Sequence, residues 1–311
     1  MLERIKRSAF TAPILLLIVA VLSVLGQMLI KNLHFRTLEE LFLTYIVAEL
    51  LIFVLPGIVY VKLKKRGYVA DMHLVSFGFS KLPLVLLSFL VMVTGAVLIN
   101  LLFKGQGIGE GLAQTALQLS DGDYLTDARI VVYISITLGV LPAFAEEFIF
   151  RGVLLAEYRQ YGVIPAVLIT SVYFAMIHFD LRLFPYYFLA GLVIGFTAYT
   201  TRSAFAAAVL HSLYNLFSLF ALPFVLNFLS MEAGIIVLYL VGILFLLSLV
   251  LAFSESERLY HNYAQSGLRA DAPRRRKENF FPPVLEIFSP SFLVCAVLFT
   301  LCMLGVIRLP Q

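Results

Sequence analysis

VVYISITLGVLPAFAEEFIFRGVLL, residues 131–155, is apolar and long enough to cross a bilayer, yet it carries two adjacent carboxylates and an arginine. A hydrocarbon core ~30 Å thick takes about 20 helical residues to cross. Each charge placed there costs about 2.5–3.5 kcal/mol on insertion scales, so Glu146, Glu147 and Arg151 each need a partner or a task. The surrounding chain has the same character. Of 311 residues, 61% are hydrophobic and 14% charged, and the mean hydropathy is +0.96. This composition excludes a soluble globular domain. The apolar runs are continuous rather than alternating, which selects helices over a membrane barrel. The fold class is therefore all-α: a polytopic transmembrane helical bundle of about 8–9 membrane helices.

The expected spans are 10–30, 41–62, 82–104, 129–158, 163–179, 184–200, 204–228, 233–253 and 288–307. A cytosolic N-terminus puts most of the 23 Lys and Arg residues inside, including the runs KLKKRG (62–67) and RRRKE (274–278), as the positive-inside rule requires. The opening MLERIKR has the charge of a signal-peptide start, but the apolar run after it is too long and lacks an A-x-A site, so it reads as a retained first span. Three regions follow. Residues 1–128 hold the N-terminal membrane helices and their loops, 129–228 form a helical core with the polar residues, and 229–311 hold C-terminal membrane helices with a cytosolic loop at 254–287. The expected location is the cytoplasmic membrane. Cys295 and Cys302 share one helix at a spacing that prevents a disulfide, and read as packing residues. The pI of 9.0 reflects topology; no basic groove interleaved with aromatics suggests nucleic acid.

Helical spacing distributes the buried polar groups. Residues at i and i+4 share a face, whereas neighbours diverge by about 100°. Glu147 and Arg151 therefore pair, and Glu146 points elsewhere. A carboxylate with no counter-charge in apolar surroundings is the kind of group that takes and returns a proton near neutrality, so Glu146 is the candidate general base. His34, His73 and His261 lie in polar connections, while His178 and His211 lie in apolar runs. His211 and Asn215 are i, i+4 and offer an imidazole and an amide to one point, as an oxyanion requires. Phe174 and His178 repeat the spacing, setting an aromatic ring beside an imidazole that can share a water with Glu146. Glu49, alone in the second span, reads as a packing or interhelical hydrogen-bonding residue.

These residues resemble a known set. EEFIFR (146–151), FAMIH (174–178) and HSLYN (211–215) are similar, in order and spacing, to the EExxxR, FxxxH and HxxxN motifs of the CAAX protease and bacteriocin-processing (CPBP, or Abi) family. That family includes the type II CAAX prenyl endopeptidases, intramembrane enzymes that trim prenylated proteins. The resemblance spans about 130–225. It implies an intramembrane endopeptidase with Glu146 activating water, His178, His211 and Asn215 as catalytic residues that stabilise the oxyanion, and Glu147, Arg151 and Phe174 in support. Its implied partners are the bilayer and a membrane-associated protein or peptide, prenylated in some members.

No HExxH zinc motif and no G-x-S-x-G elbow occurs. The expectation is thus no cofactor; a zinc alternative would gather Glu146, His178 and His211 as ligands. A non-enzymatic scaffold or immunity protein of the same fold is the alternative function, with a transporter behind it. Straight spans would set Glu146 and His211 toward one side of the membrane and His178 toward the other. A kink or re-entrant segment within 129–200 is therefore expected, at Pro142, Pro165 or Pro185.

Overall fold

The computed structural model describes residues 2–64, 67–102, 127–232, 235–267, 289–304 and 306–307, and among them the chain is helical with no strand. The helices are α1 (Leu2–Asn32), α2 (Leu38–Lys62), α3 (Phe79–Leu102), α4 (Ala128–Tyr161), α5 (Val163–Met176), α6 (Phe184–Thr201), α7 (Ala204–Phe220), α8 (Leu222–Glu232), α9 (Ile235–Gln265) and α10 (Pro290–Met303). The chain is a multi-pass integral membrane protein. All nine expected stretches contain helix, but five helices (α1, α2, α3, α4 and α9) are long and apolar enough to cross, or six spans if α7 and α8, bent by 53°, count as one. This supports five or six spans among the described residues, and the expected count of eight to nine goes beyond it. At ~1.5 Å per residue, α5 reaches only about 21 Å. One face packs in the bundle, with Ala166, Thr170, Ser171 and Ala175 wholly buried, and the other leaves Ile164 and Leu168 exposed.

Two further expectations are revised or left aside. Residues 254–265 are not loop but the end of α9, which runs to Gln265. The rest of 254–287, with the run RRRKE, and most of the connection 105–128 lie outside the described residues.

Proline shapes the spans through widened turns. Pro142 follows a π-helical segment at Ser135–Val140, and Pro56 follows another that ends at Val54. A proline ring clashes with the carbonyl four residues back, and a π turn moves that carbonyl away. Pro165 and Pro185 lie in the first turns of α5 and α6, where proline is tolerated, and bend nothing. What brings His178 level with Glu146 is the α4–α5 hairpin. The two helices meet at Gly162, whose φ of +99° suits glycine. Glu146 precedes this turn by as many residues as His178 follows it, so the two return to one depth.

The α5–α6 pair packs backbone to backbone. A Cβ at Gly191 would lie 3.0 Å from Ser171 Cα, whereas one at Gly195 would meet side chains alone, Val167 at 3.3 Å and Ser171 and Thr170 at 3.9 Å. Gly191→Ala is expected to lower stability by about 1–3 kcal/mol, read as a lower melting temperature in detergent, with Gly195→Ala affected less. An equal effect of the two would remove the close approach as the cause.

One end of the bundle is tied by polar bonds. Lys81 Nζ donates to Thr201 O at 2.5 Å, Arg258 Nη2 to Ser80 O at 2.7 Å, Tyr263 Oη to Thr200 O at 3.1 Å and Tyr68 Oη to Val153 O at 2.8 Å. Ser203 caps α7 by accepting from Ala206 N at 3.1 Å. The connection at 67–81, the α6–α7 turn and the end of α9 therefore share one end, as the charge distribution requires.

Candidate active site

α4 supplies the carboxylates. Glu147 and Arg151 are 1% exposed each, and Glu146 is 9% exposed, so none of the three is solvated as a surface charge. Arg151 Nη1 donates to Glu147 Oε1 at 2.9 Å, the i, i+4 pair that the spacing predicts. The second arm, Nη2, donates to the carbonyl of Gly191 at 3.0 Å, and the guanidinium lies 4.7 Å from the Phe174 ring centroid. One arginine thereby ties α4 to α6 and α5. The π-helical stretch Phe148–Leu154 carries it, and such widened turns recur at functional sites.

His211 comes from α7. Its Nδ1 lies 3.0 Å from the same Glu147 Oε1, so this carboxylate orients both the arginine and the imidazole. Its Nε2 is then a donor if the ring is protonated and an acceptor if it is neutral. Asn215, one turn on, donates Nδ2 to Gly139 O at 3.2 Å. That leaves one amide hydrogen free to serve a substrate. The two donors therefore share a face, as expected, but each is already anchored by α4.

His178 sits in the turn after α5, next to Phe179 with its φ of +51°. Its ring stacks on Tyr187 at 3.7 Å and 6°, and meets the edge of Phe174 at 5.1 Å. Phe174 also touches His211, at 5.6 Å between centroids. The two histidines thus flank one phenylalanine. Four buried side-chain atoms of these residues have no protein hydrogen-bond partner: Glu146 Oε2, Glu147 Oε2, Arg151 Nε and His178 Nε2. Leaving such atoms unbonded costs about 1–3 kcal/mol each, so this cluster suits water or a polar substrate group. Beside it, a cavity of about 560 Å³ is lined by Leu50 and Val54 of α2, Val140, Phe144, Glu147 and Phe148 of α4, and Phe205 of α7, among others.

Zinc would draw on Glu146, His178 and His211. Among the described residues, no group of three or more His, Cys, Asp or Glu side chains is placed to hold a metal ion; the Glu147 carboxylate on Nδ1 leaves His211 Nε2 open, as in metal-binding histidines.

Three contacts escaped the sequence reading: Glu147 with His211, Arg151 with the Gly191 carbonyl, and Tyr187 against His178. All cross between helices, where periodicity along one helix carries no signal.

Fold and site together define a multi-pass helical membrane protein with a carboxylate–imidazole cluster buried in its bundle. Residues 128–217 match the sequence model of a family described as type II CAAX prenyl endopeptidase Rce1-like. No curated protein and no solved structure matches the chain significantly.

Proposed function

We propose that the protein is an intramembrane endopeptidase that hydrolyses a peptide bond of a membrane-associated protein or peptide through a glutamate-activated water. The observation that carries this reading is the contrast between two adjacent buried carboxylates: Glu147 Oε1 is committed to both Arg151 and His211, whereas Glu146 is in no ion pair among the described residues and its Oε2 has no hydrogen-bond partner. In the reaction, the Glu146 carboxylate takes a proton from water as the water oxygen attacks the carbonyl carbon. Protonated His211 at Nε2 and the remaining amide hydrogen of Asn215 stabilise the oxyanion. Collapse breaks the C–N bond, and the leaving amine takes the proton back from Glu146. His178, held by Tyr187 and Phe174, positions the water. The apolar cavity beside Glu147 suits an extended hydrocarbon chain, which supports a lipid-modified substrate such as a prenylated one.

A second reading is favoured by the Glu147–His211 bond. A neutral imidazole held by a carboxylate at Nδ1 presents Nε2 as an acceptor, so His211 would be the base and Glu147 its orienting group. Comparing membrane proteins by mass spectrometry from cells carrying wild type, Glu146→Ala or His211→Ala tests both. Shortened proteins absent from the Glu146→Ala cells support the first reading. Persistence of cleavage there, with loss only in His211→Ala, supports the second.

The reaction as written needs no metal. Dialysis against a strong chelator is expected to leave the rate unchanged. Activity lost on chelation and restored by zinc would recast Glu146, His178 and His211 as ligands.

A further inference from the structure

Residues 74–78, in the connection between α2 and α3, run without helix, turn or bend, and Gly78 at their end is extended at φ −78° and ψ 162°. The segment is seated on the active-site helix. A Cβ at Gly152, the residue after Arg151, would lie 3.2 Å from Leu74 Cδ2. Leu74, Val75 and Ser76 line the cavity that also reaches Ala145 and Glu147, the residues on either side of Glu146. The other residues that line it lie in α2, α4 and α7, where most backbone groups are bonded within the helix. Along an extended chain, successive residues turn their N–H and C=O groups to opposite edges. One edge is already used. Ala204 N donates to His73 O at 3.0 Å, Ser203 Oγ donates to Val75 O, and Val75 N donates to His73 O at 2.8 Å. Phe77 packs on Phe205 of α7, at 6.4 Å between centroids. Ser76 therefore presents its backbone to the other edge, and among the described residues neither its N–H nor its C=O is bonded.

We propose that Ser76 is the peptide-docking edge of the active site: its N–H and C=O bond one residue of the substrate beside the cleaved bond, adding the substrate to segment 74–78 as a second, antiparallel strand. The proposal rests on the reading of the protein as an endopeptidase. A peptide bond inside a helix has its carbonyl bonded and shielded by the next turn, so the substrate has to be extended where water attacks. Extended chain in an apolar cavity leaves N–H and C=O groups unbonded, at a cost of about 1–3 kcal/mol each. Ser76 answers one of each. Strand addition binds through the main chain and leaves selection to the side-chain pockets alongside. Here the pocket alongside is the apolar cavity, so one segment serves both the peptide and the hydrocarbon of a lipid-modified substrate.

Cross-linking tests the pairing directly. The double variant Ser76→Cys with Glu146→Gln, in liposomes, is mixed with a membrane protein found cleaved in the comparison above, carrying single cysteines at successive positions around its cleaved bond. The native Cys295 and Cys302 are buried. Oxidative cross-linking should peak at one substrate position, be weaker two residues to either side and be absent at the immediate neighbours, which is the period of a strand. Phe79→Cys, 91% exposed and outside the cavity wall, should give no such pattern. Peaks three and four residues apart, or no cross-link from Ser76→Cys to a substrate that wild type cleaves, would overturn the proposal. A second variant reads the bond itself. Ser76→Pro removes the donating N–H and should raise KM by about 3–10-fold, whereas Gly78→Pro, at a φ that already suits proline, should leave KM as it is. Equal KM values in the two variants would also overturn it. Failure of the catalytic reading shows separately, as shortened substrate in the Glu146→Gln background.

Discussion

Glu147→Gln should produce a protein that is both less stable and nearly inactive. The carboxylate of Glu147 is 1% exposed and holds two groups at one oxygen, Arg151 at 2.9 Å and His211 at 3.0 Å. A neutral amide cannot balance the guanidinium, which is left as a buried charge. Breaking a buried pair from one side costs about 3–5 kcal/mol, because the surviving charge stays desolvated. The loss should appear as a lower melting temperature in detergent. Activity should fall with it, since the His211 ring loses the acceptor that fixes it. Replacing both members, as Glu147→Leu with Arg151→Leu, should recover much of the stability and none of the activity, because the charge is gone but the imidazole is still unanchored. A stable, active Glu147→Gln protein would show that the ion pair is dispensable.

Glu146→Gln should do the opposite, leaving the fold intact and abolishing turnover. The side chain has no hydrogen bond whose loss would matter; its buried Oε2 meets no protein donor. The amide is nearly isosteric and cannot accept the proton of the attacking water. Loss of a general base reduces the rate by about 10²–10⁴, and the melting temperature should hold or rise slightly as a buried carboxyl is removed. If instead Glu146→Gln is unstable and Glu147→Gln is inactive but sound, the two glutamates have been assigned each other's roles.

The contrast between these two variants also marks how much the sequence could say. The Glu147–Arg151 pair follows from spacing along one helix, and so does the divergence of Glu146, because an α-helix fixes the angle between neighbours whatever surrounds it. The resemblance on EEFIFR, FAMIH and HSLYN identified the family that the match over 128–217 supports. Which partners meet across helices was not legible. His211 against Glu147 and Tyr187 against His178 depend on helix docking. The glycines that permit it, Gly57 against Phe148 and Gly191 against Ser171, show no period of their own. Span counting met a related limit: α5 and α10 are apolar but shorter than a full span, and hydropathy alone does not mark where a helix ends. Pro142 was a sound signal of irregular helix, but the irregularity is a widened turn before it rather than a sharp kink.

The central claim is that a water activated at Glu146 enters the new carboxyl terminus. Purified wild type and Glu146→Gln, reconstituted in liposomes with a cleaved membrane protein found by the comparison above, can be incubated in ¹⁸O-labelled water and the products weighed by mass spectrometry. The account predicts one ¹⁸O in the newly formed carboxylate with wild type and no product with Glu146→Gln. Labelled product formed equally by both proteins would contradict it.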